Sequence, residues 1–364
     1  MTTQARAGGL EGVIAADTAI SDVDGERGRL TLAGHDVETL ADTSFEEVLA
    51  MLWTSGGLAV QGDLRRGLGQ ARVEAFERLQ SWQDALALPD AMEALRSALA
   101  RLPASADDTT DAVRLVATTA VVTGAWARVH ADLTPLVPDE ELGHAADLSR
   151  MLCGNIVDPP RVRAFERYLV TVSDHGMNAS TFAARVVAST GSDAVSAVVA
   201  ALGALKGPLH GGAPGPVLDM LDAIGEPTRA RAWIEGELAA GRRIMGMGHR
   251  VYRVRDPRAA VFESAVTELD RDASDLRLAL ARAVEREATD LLAVRQPDRA
   301  LRANVEFYTA VLLEAVGVPR SAFTAVFACG RVGGWLAHIA EQRRTGRLIR
   351  PQSRYVGVPA ATPR

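Results

Sequence analysis

Lysine is almost missing from this 364-residue chain: Lys206 is the only one, so arginine supplies nearly all of the positive charge. A Schiff-base or pyridoxal mechanism would have to rest on that single amine. Cysteine is nearly as scarce. Cys153 and Cys329 form no metal-ligand spacing, and so low a count suits a reducing, cytoplasmic compartment. Long apolar runs are missing too. The two longest, residues 115–127 and 194–205, fall short of the roughly 18 residues that a membrane helix needs. Residues 1–9 lack the apolar centre of a signal peptide. There is no basic excess: the formal net charge of -6 argues against a nucleic-acid partner. A serine-hydrolase elbow, a phosphate loop, a dinucleotide fingerprint and a pair of histidines at helical metal spacing are also lacking.

What is present is helical patterning. Apolar residues make up 48% and charged residues 24% of the chain, which is enough to bury a large core without disulfides or metals. Residues 12–16 and 28–32 read as extended segments flanking the turn-rich stretch Ser21-Asp22-Val23-Asp24-Gly25, which predicts a short N-terminal hairpin. Thr43/Glu46 and Ser44/Glu47 both fit a capping box and open the first helix. Further helices are predicted over residues 64–83, 91–102, 109–129, 161–173, 178–189 and 194–205. The last of these is apolar nearly all round and reads as the centre of a helical core. A more polar stretch comes next, with helices over 216–224, 227–240, 257–269, 275–295 and 304–315, then a final helix over 331–344 and an extended tail. The fold class is mainly α, with one strand pair near the N-terminus.

Three histidines sit in unusual settings. His210 lies in Gly207-Pro208-Leu209-His210-Gly211-Gly212, and His249 in Met245-Gly246-Met247-Gly248-His249-Arg250. His175 lies in Ser173-Asp174-His175-Gly176-Met177-Asn178-Ala179-Ser180. Glycines let backbone approach a ligand closely and present a side chain from a tight turn. One such motif reads equally well as turn glycines beside an incidental histidine. Two of them, with Arg250, Arg253, Arg255 and Arg258 close by, point to a site that holds an anion. Arg255 and Arg343 read as solvated charges. Arg258, in Asp256-Pro257-Arg258, reads either as an anion ligand or as a salt-bridged helix start. Cys329 reads as a small packing residue, Lys206 as a helix-end charge or a phosphate contact, and His338 as a helix-surface or interface residue.

Three segments, Gly207–Ala213 (G-P-L-H-G-G-A), Gly246–Arg258 (G-M-G-H-R-V-Y-R-V-R-D-P-R) and Asn304–Tyr308 (N-V-E-F-Y), resemble the signatures of the citrate synthase family. The likeness runs across most of the chain, to Leu348-Ile349-Arg350-Pro351, and is greatest to the shorter bacterial and archaeal form, which includes 2-methylcitrate synthases. The resemblance implies a citrate synthase-like fold: a large helical domain from residues 1–211 and 318–364, and a smaller one from residues 212–317. It implies a homodimer that condenses acetyl-CoA with oxaloacetate and hydrolyses citryl-CoA, with no metal or redox cofactor. The alternatives are a 2-methylcitrate synthase using propionyl-CoA and a weakly catalytic homologue that binds coenzyme A and a dicarboxylate.

Residue by residue, the resemblance gives His210 the thioester carbonyl, His249 the 2-oxo carbonyl and Glu306 the methyl proton. It gives oxaloacetate to His175, Arg258 and Arg331, with Arg350 reaching the partner subunit's site. It gives coenzyme A to Arg253 and the backbone of Met245, Gly246, Met247 and Gly248. Two positions depart from the family pattern. Glu306 stands where the family usually has Asp, and a misplacement of about 1 Å can cost on the order of 100-fold. Gly176 stands where an acidic residue often comes after the histidine.

Overall fold

The computed structural model describes residues 10, 12–60, 62–154, 158–211, 214–248, 252, 254–270, 276–296 and 301–357. A three-stranded antiparallel sheet, β1 (Ser21–Asp24), β2 (Arg29–Leu32) and β3 (His35–Asp36), opens the chain. Val23 pairs with Leu30 and Ser21 with Leu32. The hairpin therefore lies later than its sequence pattern suggested. Ser21–Asp24 is the first strand, and residues 12–16 are not in the sheet. The turn is made after Asp24, whose carboxylate accepts from the Glu26 and Arg27 amides. Gly28, at φ +64°, completes it.

Helices make up the rest: α1 (Phe45–Gly56), α2 (Leu64–Glu77), α3 (Gln83–Leu86), α4 (Ala91–Leu99), α5 (Asp108–Val129), α6 (His144–Cys153), α7 (Pro159–Thr171) and α8 (Ala179–Ala188). Next come α9 (Ala194–Leu205), α10 (Pro214–Ile224), α11 (Ala230–Ala239), α12 (Pro257–Leu269), α13 (Leu276–Arg295), α14 (Val305–Val316) and α15 (Phe323–Thr345). Their starts reflect local chemistry. Ser44 and Glu47 form the capping box of α1, so Glu47 and not Glu46 takes that part. Asp63, Asp90, Asp107, Asn178, Asp193, Asp256 and Asn304 each accept backbone amides at a helix start. Gly57, Gly154 and Gly317 end helices in the left-handed conformation.

The centre of the fold is α5 against α15. Leu115, Val116, Ala120, Val121 and Val122 of α5 are fully buried, and α15 is buried along most of its length. That helix begins eight residues earlier than its apolar face at 331–344 indicated, because most of Phe323–Gly330 is buried as deeply as the later turns. Around α15 pack α1, α7, α8 and α9. The Trp53 indole of α1 donates to the Gly333 carbonyl at 3.0 Å. The prediction that α9 is central is corrected: Ser196 and Gly203 are exposed, and Val199 and Ala200 half-buried. Its apolar second face pairs only in part with α8, whose Phe182, Ala183 and Val186 are likewise half-buried. Among the described residues no helix is long and apolar enough to cross a membrane.

Helix α6 had no clear sequence signal, since it starts at Gly143 without a side-chain cap. Buried charge holds it in place. Asp147 of α6 accepts from Arg72 of α2 at 2.8 Å, with both side chains fully buried. Arg150 and the Asp139 amide bond the same carboxylate, and Arg72 also donates to the Leu142 carbonyl at 2.8 Å. Removing one member strands the other charge away from water. Asp147→Ala is expected to lower unfolding stability by about 3–5 kcal/mol, read as a shift in the urea midpoint. A loss under about 1 kcal/mol would mean that Arg72 reaches water or another anion.

Candidate active site

Five segments converge between α7, α12, α14 and α15. The first is the start of α14. Asn304 caps that helix, accepting from the Glu306 and Phe307 amides. Its side chain also donates to the Gly248 carbonyl at 2.8 Å, and its backbone amide donates to the Gly246 carbonyl at 2.9 Å. Met247 bridges to Ala303, and the Gly248 amide donates to the Arg302 carbonyl at 2.7 Å. Residues 245–248 are thus laid on the segment that leads to Glu306. Glycine is required for that docking. A Cβ on Gly246, at φ +74°, would sit 2.9 Å from the Phe307 Cβ. His249 and Arg253 lie outside the described residues.

The second segment is the start of α12. Asp256 caps it through the Arg258 amide at 3.0 Å. The same carboxylate takes the Arg258 guanidinium at two points, 3.0 and 2.8 Å, and accepts from the Val305 amide at 3.3 Å. The structure bears out the helix-start reading of Arg258. The side chain is also buried facing Glu306. The cost of burying this guanidinium is outweighed by Asp256, which holds its pKa above the ordinary value.

Arg331 of α15 is the third member. It is buried, donates to the Val172 carbonyl at 2.5 Å and stacks over the Phe327 ring at 4.8 Å. Its Nη2 is buried and has no hydrogen-bond partner among the described residues. Burial pulls Arg331 down to about 10, while Asp174 works the other way. Glu306 lies between these cations. It keeps some contact with solvent but is set deep enough that desolvation pushes its carboxyl up to about 7, against the pull of Arg258 and Arg331. A small pocket beside it is lined by Tyr168, Val172, Arg258, Thr309 and Phe327. The Tyr168 hydroxyl is buried without a hydrogen-bond partner among the described residues.

The fourth and fifth segments, residues 173–180 and 207–211, each carry a histidine. The His175 Nε2 lies 3.1 Å from the Tyr252 hydroxyl, and Arg258 stacks over the Tyr252 ring at 5.9 Å. The His210 Nε2 lies 2.8 Å from the Ser180 hydroxyl, which also accepts from the Trp335 indole at 3.2 Å. Asn178 Oδ1 lies 2.7 Å from that hydroxyl and already accepts two backbone amides as the cap of α8. The hydroxyl proton has two acceptors within reach, Asn178 Oδ1 and His210 Nε2. With Nε2 accepting, the imidazole proton sits on Nδ1, leaving that nitrogen as a donor. Burial and the nearby Arg331 lower His210 to about 4, so it is a neutral imidazole at ordinary pH.

The structure thus gathers His175, His210, Arg258, Glu306 and Arg331. It does not bring Arg350 to them. That residue is exposed in the tail, along a groove lined by Phe182, Arg185, Glu341 and Leu348. Other readings are revised. Arg255 is paired with Glu263 at 2.6 Å and Arg343 donates to the Ser192 carbonyl at 2.6 Å, so neither is simply solvated. Lys206 is tied to Glu93 and Asp90. His338 is fully buried, not on the helix surface. Cys329 is a packed thiol, pushed up to about 12 by burial. Sequence reasoning missed Ser180, Tyr252 and Asp256 as partners, although all three stand inside motifs it singled out. Among the described residues no three His, Cys, Asp or Glu side chains form a metal-binding group.

The family model described as citrate synthase, C-terminal domain, matches residues 9–352. The chain belongs to the citrate synthase family. It is 38% identical to the citrate synthase of Haloferax volcanii, over 96% of this chain and 95% of that one. It is also 38% identical to a 2-methylcitrate synthase of Mycobacterium tuberculosis, over 96% and 90%. Its fold superposes on a Thermoplasma acidophilum citrate synthase with a TM-score of 0.85 at 27% identity, covering 97% of this chain and 96% of that one. That structure is a ternary complex with carboxymethyl coenzyme A and oxaloacetate. This is a family of condensing enzymes, and its members similar to this chain include both citrate and 2-methylcitrate synthases.

Burying Glu306 has a measurable cost. Its folded value, about 7, is above its ordinary 4.5, so the folded chain holds this proton more tightly than the unfolded chain. Its contribution to stability is complete below about pH 4.5 and is lost as pH rises through about 7. Glu306→Gln stays neutral, so it is expected to melt above the parent at about pH 8.5, with the gap closing towards about pH 5. Equal melting curves across that range would show that Glu306 is solvated.

Proposed function

We propose that this chain is a citrate synthase, condensing acetyl-CoA with oxaloacetate and hydrolysing citryl-CoA to citrate and coenzyme A. The observation that carries the reading is a base with a pKa of about 7 facing two buried guanidinium groups, with a neutral histidine beside one of them. A thioester methyl is a very weak acid, and a carboxylate alone does not ionise it. Glu306 takes the methyl proton while His210 Nδ1 donates to the thioester oxygen, where negative charge develops. A neutral imidazole does this by hydrogen bonding, because its own acidity is far too low to surrender the proton outright. Arg258, Arg331 and His175 receive oxaloacetate, and the guanidiniums compensate carboxylates that have left water. His249 donates to the ketone oxygen as the carbon–carbon bond forms. Residues 245–248 and Arg253 meet coenzyme A. No metal or redox cofactor enters these steps.

The domain division is part of the same reading. Residues 1–211 and 318–364 form the larger unit and 212–317 the smaller, and their closure excludes water until bond formation is complete. We also propose a homodimer. The half-buried apolar faces of α8 and α9 support it, as does the exposed position of Arg350, from which it reaches the partner's site.

The acyl group is the less constrained part. One methylene changes discrimination by about 1–3 kcal/mol, so propionyl-CoA and 2-methylcitrate form the second reading, favoured by the mycobacterial relative. Thiol release from each thioester in the presence of oxaloacetate tests both. A kcat/KM that favours propionyl-CoA would replace the first reading, and binding of both substrates without thiol release would leave a non-catalytic binder. Glu306→Ala is expected to lower turnover by on the order of 10²–10⁴ while oxaloacetate affinity stays near that of the parent. Unchanged turnover would assign the proton to another base.

A further inference from the structure

Next to His175 is a carboxylate that the proposed chemistry does not use. Asp174 is fully buried. Its Oδ1 accepts from the Ser21 hydroxyl of β1 and from the Gly176 amide at 2.8 Å. The Gly176 amide also lies 3.1 Å from the Ser21 hydroxyl. One carboxylate oxygen therefore closes a turn around His175 and ties that turn to the hairpin. The other oxygen, Oδ2, faces His338 Nε2 at 3.1 Å, a close contact whose angle falls short of a hydrogen bond.

The far side of His338 fixes its proton. Arg185 Nη1 lies 3.0 Å from His338 Nδ1. A guanidinium only donates, so Nδ1 carries the lone pair and the single proton of a neutral ring sits on Nε2, towards Asp174. Arg185 is in turn held by Glu341 at 2.6 Å and Gln342 at 2.9 Å. Glu341 accepts from the Ala19 amide at 2.7 Å, two residues before Ser21. Arg185, His338 and Glu341 are all buried.

The backbone is cut to fit this arrangement. A Cβ on Gly334 would meet the Ser173 carbonyl at 2.1 Å and Asp174 Oδ2 at 2.9 Å, so α15 has no side chain where the turn rests on it. Gly176, at φ +59°, would bring a Cβ within 3.3 Å of Val23. The hairpin occupies the space that a side chain at 176 would need, and Ser21 supplies the polar contact there.

We propose that Asp174, bonded to Ser21 and the Gly176 amide and facing His338, is the positioning residue for recognition of the 2-oxo dicarboxylate. It acts through His175, whose turn it closes. This rests on the reading that His175 receives oxaloacetate.

The test separates the two substrates. Ser21 is half-buried on a hairpin, so Ser21→Ala keeps the fold. It is expected to raise KM for oxaloacetate about tenfold, with KM for the acyl thioester and kcat at saturation within about twofold of the parent. Ser21→Thr keeps the hydroxyl and is expected to restore the parent KM. Asp174→Asn is expected to raise the same KM further, by on the order of 100-fold. An unchanged oxaloacetate KM in Ser21→Ala overturns the proposal. So does a rise in both substrates' KM values together with a lowered melting temperature, because that pattern marks a structural role. Failure of the parent chain to release thiol would instead sink the proposed function and is read separately.

Discussion

Two guanidinium groups held out of water beside one glutamate are the constraint on which the rest of the molecule depends. Like charges so placed repel each other, and each loses its hydration. Arg258 is paired with Asp256, whereas the charge of Asp174 offsets only part of the burial of Arg331. Both aspartates also have structural duties. Asp256 starts α12 and bonds the first amide of α14, so neutralising the cation and orienting the helix that carries Glu306 are a single act. Asp174 joins the hairpin to α15. A substitution at either aspartate therefore disturbs charge and architecture together.

The same enclosure tunes the two groups assigned to proton chemistry. Desolvation lifts Glu306 to about 7 and drops His210 to about 4. Both shifts favour neutral forms, and each has a use. A base near neutrality holds a proton well once it has taken it. A neutral imidazole with its remote nitrogen engaged by Ser180 offers a donor without adding positive charge beside Arg331. The small pocket between Tyr168 and Phe327 lies alongside Glu306.

Much of this is legible in the sequence because local chemistry and global fold agree. Capping residues, glycines and prolines mark most helix boundaries, and the family resemblance singles out His175, His210, Arg258, Glu306 and Arg331. What escapes depends on distant partners. The helix α6 is held by Arg72, which lies more than 70 positions away from Asp147. The strand Ser21–Asp24 looks like a turn until Leu30 and Leu32 pair with it. His338 looks superficial because nothing in its neighbourhood along the chain announces Arg185 or Asp174. The apolar pattern of α9 marks a helix that must be covered and suggests the centre, whereas half of it faces outward in a single chain. A hydrophobic face shows that something covers it, and not what.

The near absence of lysine gains meaning from where Lys206 stands. Its ammonium is clasped by Glu93 and Asp90, contacts that raise its pKa above the usual lysine value. Activated acyl groups modify proteins by spontaneous transfer to uncharged amines, and a protonated ammonium has no lone pair with which to attack. As the single side-chain amine of the sequence, Lys206 is thus held in the charged form that does not attack acyl donors.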